Sequence, residues 1–253
     1  MTFKGRITHL CCALALVIAP QLSMAETALV AVATNFSEVI DVLKADFEAA
    51  TEHRLTIITG STGKLYAQIV NGAPFDVFLA ADQARPERLV KESRTIDIQF
   101  TFATGQLALW SADADRIGEN GLQALTERYR RLAIANPQLA PYGVAAKEAL
   151  SALGLMEKLQ DRIVMGENIG QTHALIASGN AELGIVALAY AISPRNDSAG
   201  SYWIVPSELY APIHQDAVRT LHAEGNGAAS AFMAYLQSDP AKEIIRAYGY
   251  EVE

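Results

Sequence analysis

Thr59-Gly60-Ser61-Thr62-Gly63-Lys64-Leu65-Tyr66-Ala67-Gln68-Ile69 marks the point where an extended segment gives way to a helix. Upstream, Leu55 to Ile58 reads as a strand. Downstream, a helix runs from about Lys64, with Leu65, Ile69 and Val70 on its apolar side, until Gly72 and Pro74 end it. The same order recurs outward in both directions. Ala28 to Ala33 is a strand, followed by Phe36, Val39, Ile40, Leu43 and Phe47 at helical spacing. Phe75 to Ala81 is a strand and Pro86 to Lys91 begins a helix. Gln106 to Trp110, Leu132 to Ala135, Arg162 to Met165 and Leu183 to Ala189 read as further strands. Helices fall at Ala145 to Leu153, closed by Gly154, and at His173 to Ala177, closed by Gly179. Two more, Ala228 to Leu236 and Ala241 to Ala247, are separated by Pro240. Repeated strand-then-helix order predicts an α/β fold with largely parallel sheets. In such folds ligands sit at the sheet edge where strands turn into helices.

Four of these turns share one chemistry. They are Ala33-Thr34-Asn35-Phe36-Ser37, Thr59 to Lys64, Asn136-Pro137-Gln138-Leu139-Ala140-Pro141-Tyr142-Gly143, and Glu167-Asn168-Ile169-Gly170-Gln171-Thr172. A helix start leaves four backbone N–H groups unpaired and carries partial positive charge. Ser, Thr and Asn there ordinarily cap the helix. Aimed into a cleft, the same groups form an anion site without any formal charge. Hydrogen bonds to a charged group contribute about 1.5–3 kcal/mol each. Roughly six of them can offset the desolvation of an ion, which costs several kcal/mol.

Composition narrows the choice. The chain has 253 residues, 51% of them hydrophobic, enough for one large core or two smaller ones. Residues 1–25 read as an export signal: Lys4 and Arg6, then the apolar run Leu10 to Ala19, then Ser23-Met24-Ala25 as a small-x-small cleavage site. Cleavage before Glu26 removes both cysteines, Cys11 and Cys12, which excludes a disulfide framework and a cysteine metal site. It also removes two cations and no acid, taking the formal net charge from −8 to −10. Such a surface repels nucleic acid and anionic lipid.

Rival chemistries lack their partners. Lys64 suggests a phosphate-binding loop, but Leu65 stands where that motif needs Ser or Thr, and Ile58 where it needs its first glycine. Ser61 as a hydrolase nucleophile lacks the G-x-S-x-G spacing. His53, His173, His214 and His222 show no H-x-x-x-H pair. No catalytic residue and no direct metal ligand is assigned, and the chain is not read as an enzyme.

Several stretches together resemble the periplasmic molybdate-binding proteins of ABC transporters. They are the junction at Asn35, Gly60 to Ile69, Gly72-Ala73-Pro74-Phe75-Asp76-Val77-Phe78-Leu79-Ala80-Ala81-Asp82-Gln83, Tyr142 to Leu150, Leu183-Gly184-Ile185-Val186, and Tyr248-Gly249-Tyr250. The resemblance implies a two-lobed type II periplasmic-binding-protein fold. Each lobe would be a mainly parallel sheet flanked by helices, and two hinge strands would join them. Residues 26–104 and 207–253 would form one lobe and 105–206 the other. It implies no cofactor, and molybdate or tungstate as ligand, held by neutral donors at Thr34, Asn35, Ser61, Tyr142 and the backbone of Ile169. Ala187 stands where some members have a ligand-contacting tyrosine, so that Tyr142 replaces the hydroxyl from the opposite junction, with Tyr190 as the lesser substitute. The implied partners are a membrane permease and its separate ATPase, for a periplasmic monomer. Tungstate, sulfate or phosphate as ligand, a secreted serine hydrolase using Ser61, and a binding module for signalling are the alternatives.

Overall fold

A computed structural model describes residues 25–194 and 200–252. The export segment, up to Met24, lies outside the described residues. In chain order the strands are β1 (Thr27–Ala33), β2 (Arg54–Gly60), β3 (Val77–Leu79), β4 (Phe100–Gly105), β5 (Leu107–Ser111), β6 (Leu132–Ala135), β7 (Ile163–Gly166), β8 (Leu183–Ala187), β9 (Ser201–Ile204) and β10 (Ile213–Arg219). The helices are α1 (Ser37–Ala50), α2 (Thr62–Val70), α3 (Ala84–Lys91), α4 (Gly121–Thr126), α5 (Pro141–Ala152), α6 (Met156–Leu159), α7 (Ile169–Ala177), α8 (Leu188–Ala191), α9 (Gly227–Tyr235) and α10 (Asp239–Ala247).

The strands form two five-stranded sheets of matching plan, β2-β1-β3-β10-β4 and β7-β6-β8-β5-β9. In each sheet the first three strands are parallel, and one strand, β10 or β5, runs against both of its neighbours. The chain passes from the first sheet to the second through the single residue Gln106, between β4 and β5, and returns between β9 and β10. This is the two-lobed α/β architecture expected from the sequence.

Burial follows from the pleat. β1 is central, so both of its faces are covered: Val30 and Val32 pack with Phe36, Val39, Ile40, Leu43 and Phe47 on one side, while Ala31 meets Leu65 and Phe78 on the other. The second sheet has its own core around Leu107, Leu109, Trp110, Leu132, Ile134, Leu183 and Ile185.

Some elements differ from expectation. The strand expected over 75–81 is limited to β3. The apolar run expected as a strand to Ala189 stops at Ala187 and becomes α8; periodicity does not separate strand from helix in so short a run. Helix α5 starts at Pro141, ahead of Ala145, because proline is well suited to the first helical turn. Gly154 (φ 66°) and Gly179 (φ 72°) close their helices in the left-handed conformation.

Candidate anion site

All four hydroxyl-rich junctions meet at one place. They follow β1 and β2 in the first sheet and β6 and β7 in the second, which hold equivalent positions in the two strand orders. Between them is a small cavity lined by Thr34, Asn35, Ser61, Thr62, Tyr142, Asn168 and Ile169 with small apolar neighbours. The five residues singled out from the sequence are therefore around a single cavity. No lining residue is charged, and none is a histidine. Among the described residues no group of His, Cys, Asp and Glu could hold a metal ion. A wider cleft adjoins the cavity and shares Ala81 and Pro141 with it, but it is not where the helix starts converge.

Each hydroxyl at the cavity is held from behind by an N–H group. Ser61 caps α2, its Oγ accepting from Lys64 N at 3.4 Å. Thr34 Oγ1 accepts from Gly170 N at 3.4 Å, across the gap between the sheets. The Tyr142 hydroxyl oxygen accepts from Gln215 Nε2, also at 3.4 Å and also across the gap. A hydroxyl has one proton and two lone pairs. With one lone pair occupied by an amide, such a hydroxyl can still donate its proton. Asn168 caps α7, accepting from Gln171 N at 2.8 Å, which places Ile169 at the first helical position, where backbone N–H groups have no partner within the helix.

Asn35 is more committed. Its Nδ2 donates to Gln215 Oε1 at 2.7 Å and to the Tyr250 hydroxyl at 3.2 Å. Tyr250 in turn donates to the Asn35 carbonyl at 2.7 Å. Burial pushes the Tyr142 hydroxyl well above the usual tyrosine range, with Tyr250 beside it adding to the effect. Burial raises Tyr250 likewise. Both stay protonated in any ordinary buffer, so Tyr142 keeps the proton that makes it a donor.

Other residues are placed by their contacts. Tyr190, whose hydroxyl donates to the Thr34 carbonyl at 2.9 Å, is not among the lining residues. Burial raises it to about 12. Lys64 is exposed and pairs with Glu167 at 2.6 Å, bridging the rims of the two junctions. His173 is stacked between Trp110 and Tyr190, and His222 meets Asp76, so neither serves Ser61. The sequence gives no ligand role to Gln215 or Tyr250. Neither lies at a strand-to-helix junction, and neither is among the donors that the family resemblance implies.

A family model of bacterial extracellular solute-binding proteins matches residues 28–251. The chain belongs to that family. Members similar to it include the molybdate-binding protein ModA of Azotobacter vinelandii, 44% identical over 225 residues, covering 88% of this chain and 89% of that one. ModA of Rhodobacter capsulatus is 42% identical and covers 95% of both chains. The solved structure of the Azotobacter vinelandii periplasmic molybdate-binding protein superposes with a TM-score of 0.85 at 41% identity, covering 89% of this chain and 99% of the other. The two-lobed family fold is thus the fold of this chain.

Proposed function

We propose that this protein captures molybdate, and tungstate with it, outside the cytoplasm and hands it to an ABC transporter permease driven by a separate ATPase. The observation that carries the reading is the uncharged cavity where four helix starts from both sheets converge, with the hydroxyls of Thr34, Ser61, Thr62 and Tyr142 each accepting from an N–H group. Relatives that bind molybdate, at 44% and 42% identity, support the choice of ion. A fully deprotonated tetrahedral dianion only accepts hydrogen bonds, which matches a lining that offers protons. The lobes, residues 26–104 with 207–253 and residues 105–206, close over the ion about the two crossings, shifting an open–closed equilibrium. The protein acts as a monomer, and it catalyses nothing.

Calorimetric titration of the exported form, residues 26–253, with molybdate, tungstate and sulfate tests this. Molybdate and tungstate are expected to bind far more tightly than sulfate. Tighter binding of sulfate would overturn the ligand assignment, and ester turnover abolished by Ser61→Ala would overturn the non-enzyme reading.

A further inference from the structure

Gln215 sits where a strand gives no reason for a glutamine. It is fully buried, on β10, and the register between β4 and β10 shifts there: Gln215 stands opposite Ala103 and Asp216 opposite Thr101. Such an irregularity bends the strands and re-aims side chains, often beside a functional site. The result is a polar cluster of Gln215, Asn35 (2% exposed), Tyr250 (4%) and Tyr142 (1%) in an otherwise apolar interior. Burying four polar side chains together is tolerated only when their donors and acceptors match.

The directions of the bonds run one way. Asn35 Nδ2 donates to Gln215 Oε1, and Gln215 Nε2 donates to the Tyr142 oxygen. Tyr250 gives its proton to the Asn35 carbonyl and accepts from Asn35 Nδ2. Tyr142 donates none of these bonds. The chain of donors therefore ends on a hydroxyl that lines the cavity and lies beside the Tyr250 hydroxyl. With both amide protons of Asn35 engaged, the Asn35 backbone, rather than its side chain, is left to meet a ligand. Space for the arrangement is made by Gly105, the last residue of β4: a Cβ there would lie 2.0 Å from the Tyr142 hydroxyl and 2.9 Å from Gln215 Nε2.

We propose that Gln215 is a positioning residue, whose amide, anchored by Asn35, turns the Tyr142 hydroxyl so that its proton faces the bound oxyanion. Because Tyr142 comes from α5 and Gln215 from β10, the bond also forms only when the two sheets approach, so the donor is completed by closure. This inference rests on the anion-binding reading above.

The test is a double-mutant cycle read by calorimetric titration with sodium molybdate. Gln215→Met keeps the side-chain length and removes the amide; Gln215→Asn, which keeps an amide but falls short of Tyr142, serves if the methionine variant does not fold. Each single change and Tyr142→Phe are expected to weaken molybdate binding about 10- to 100-fold. In the Tyr142→Phe background the Gln215 change is expected to add less than about threefold, because its effect passes through that hydroxyl. Fully additive losses, or a Gln215 variant that melts earlier yet binds molybdate as tightly as the unaltered protein, would overturn the inference. Failure of the unaltered protein to bind molybdate would instead remove the functional reading, and this inference with it.

Discussion

Ser61 does two jobs that one substitution can separate. Its oxygen caps α2 and its proton is left for the cavity. Glycine is nearly as good a cap as serine, costing a few tenths of a kcal/mol, but has no hydroxyl. Ser61→Gly is therefore expected to lose about 1.5–3 kcal/mol of molybdate binding by calorimetry, with little change in melting temperature. Unchanged affinity would remove Ser61 from the donor set. The buried tyrosines make a prediction about pH. Tyr142, Tyr190 and Tyr250 all have raised folded-state values, while in the unfolded chain each ionises near about 10. Their contribution to stability is complete below about pH 10 and is lost as pH rises toward the folded values, because only the unfolded state then releases protons. A melting temperature level from about pH 7 to 9 and falling above 10 is expected by calorimetric scanning.

Helix α5 delivers Tyr142, and its position depends on a close approach. A Cβ at Gly143 would lie 2.2 Å from the Ala135 carbonyl oxygen, in backbone that has no room to move. Gly143→Ala is expected to cost about 1–3 kcal/mol in thermal unfolding and to weaken molybdate binding by displacing Tyr142. A stable variant with full affinity would show that α5 tolerates the shift. Element starts were readable in the sequence because capping residues announce them: Ser61 before α2 and Asn168 before α7 cap as expected. The junctions before α1 and α5 have no side-chain cap and were visible only as breaks between strand and helix patterns, while Thr34, Ser61, Tyr142 and Ile169 came from the family resemblance. β10 was not readable. Its segment Ile213–Arg219 breaks the apolar–polar alternation, since Gln215 and Asp216 are adjacent, polar and both buried. Asp216 is satisfied by Thr101 and Gln83. A site residue that looks like surface is hidden from a pattern reading, and Gln215 was missed for that reason. β4 and β9 were also passed over; each stands at a crossing, where the regular strand–helix order is interrupted.

At the scale of the molecule, the donors work against the protein's own field. Residues 26–253 carry a formal net charge of −10, so an approaching dianion is repelled until it reaches the local dipoles of the helix starts. Added salt screens the repulsion over a distance of about 10 Å at 0.1 M. The association rate constant for molybdate, followed by stopped-flow tryptophan fluorescence, is therefore expected to rise between low and physiological ionic strength. A fall would mean that a local positive potential dominates capture. Contacts spanning the gap include Gly63 N to the Leu139 carbonyl at 2.9 Å, Thr34 with Gly170 and Tyr190, Gln215 with Tyr142, Ser193 with Glu38, Ala211 N with Glu148, and the exposed Lys64–Glu167 pair. An exposed pair of this kind contributes about 0–1 kcal/mol, which suits the reversible closure proposed above.

The return of the chain to its first sheet also sets a timetable. Asn35 is made early, but the side chains that fix its amide, Gln215 and Tyr250, leave the ribosome after the whole second sheet. Until the C-terminal segments fold back onto the first sheet, Asn35 lacks its clamp and Tyr142 the amide behind it.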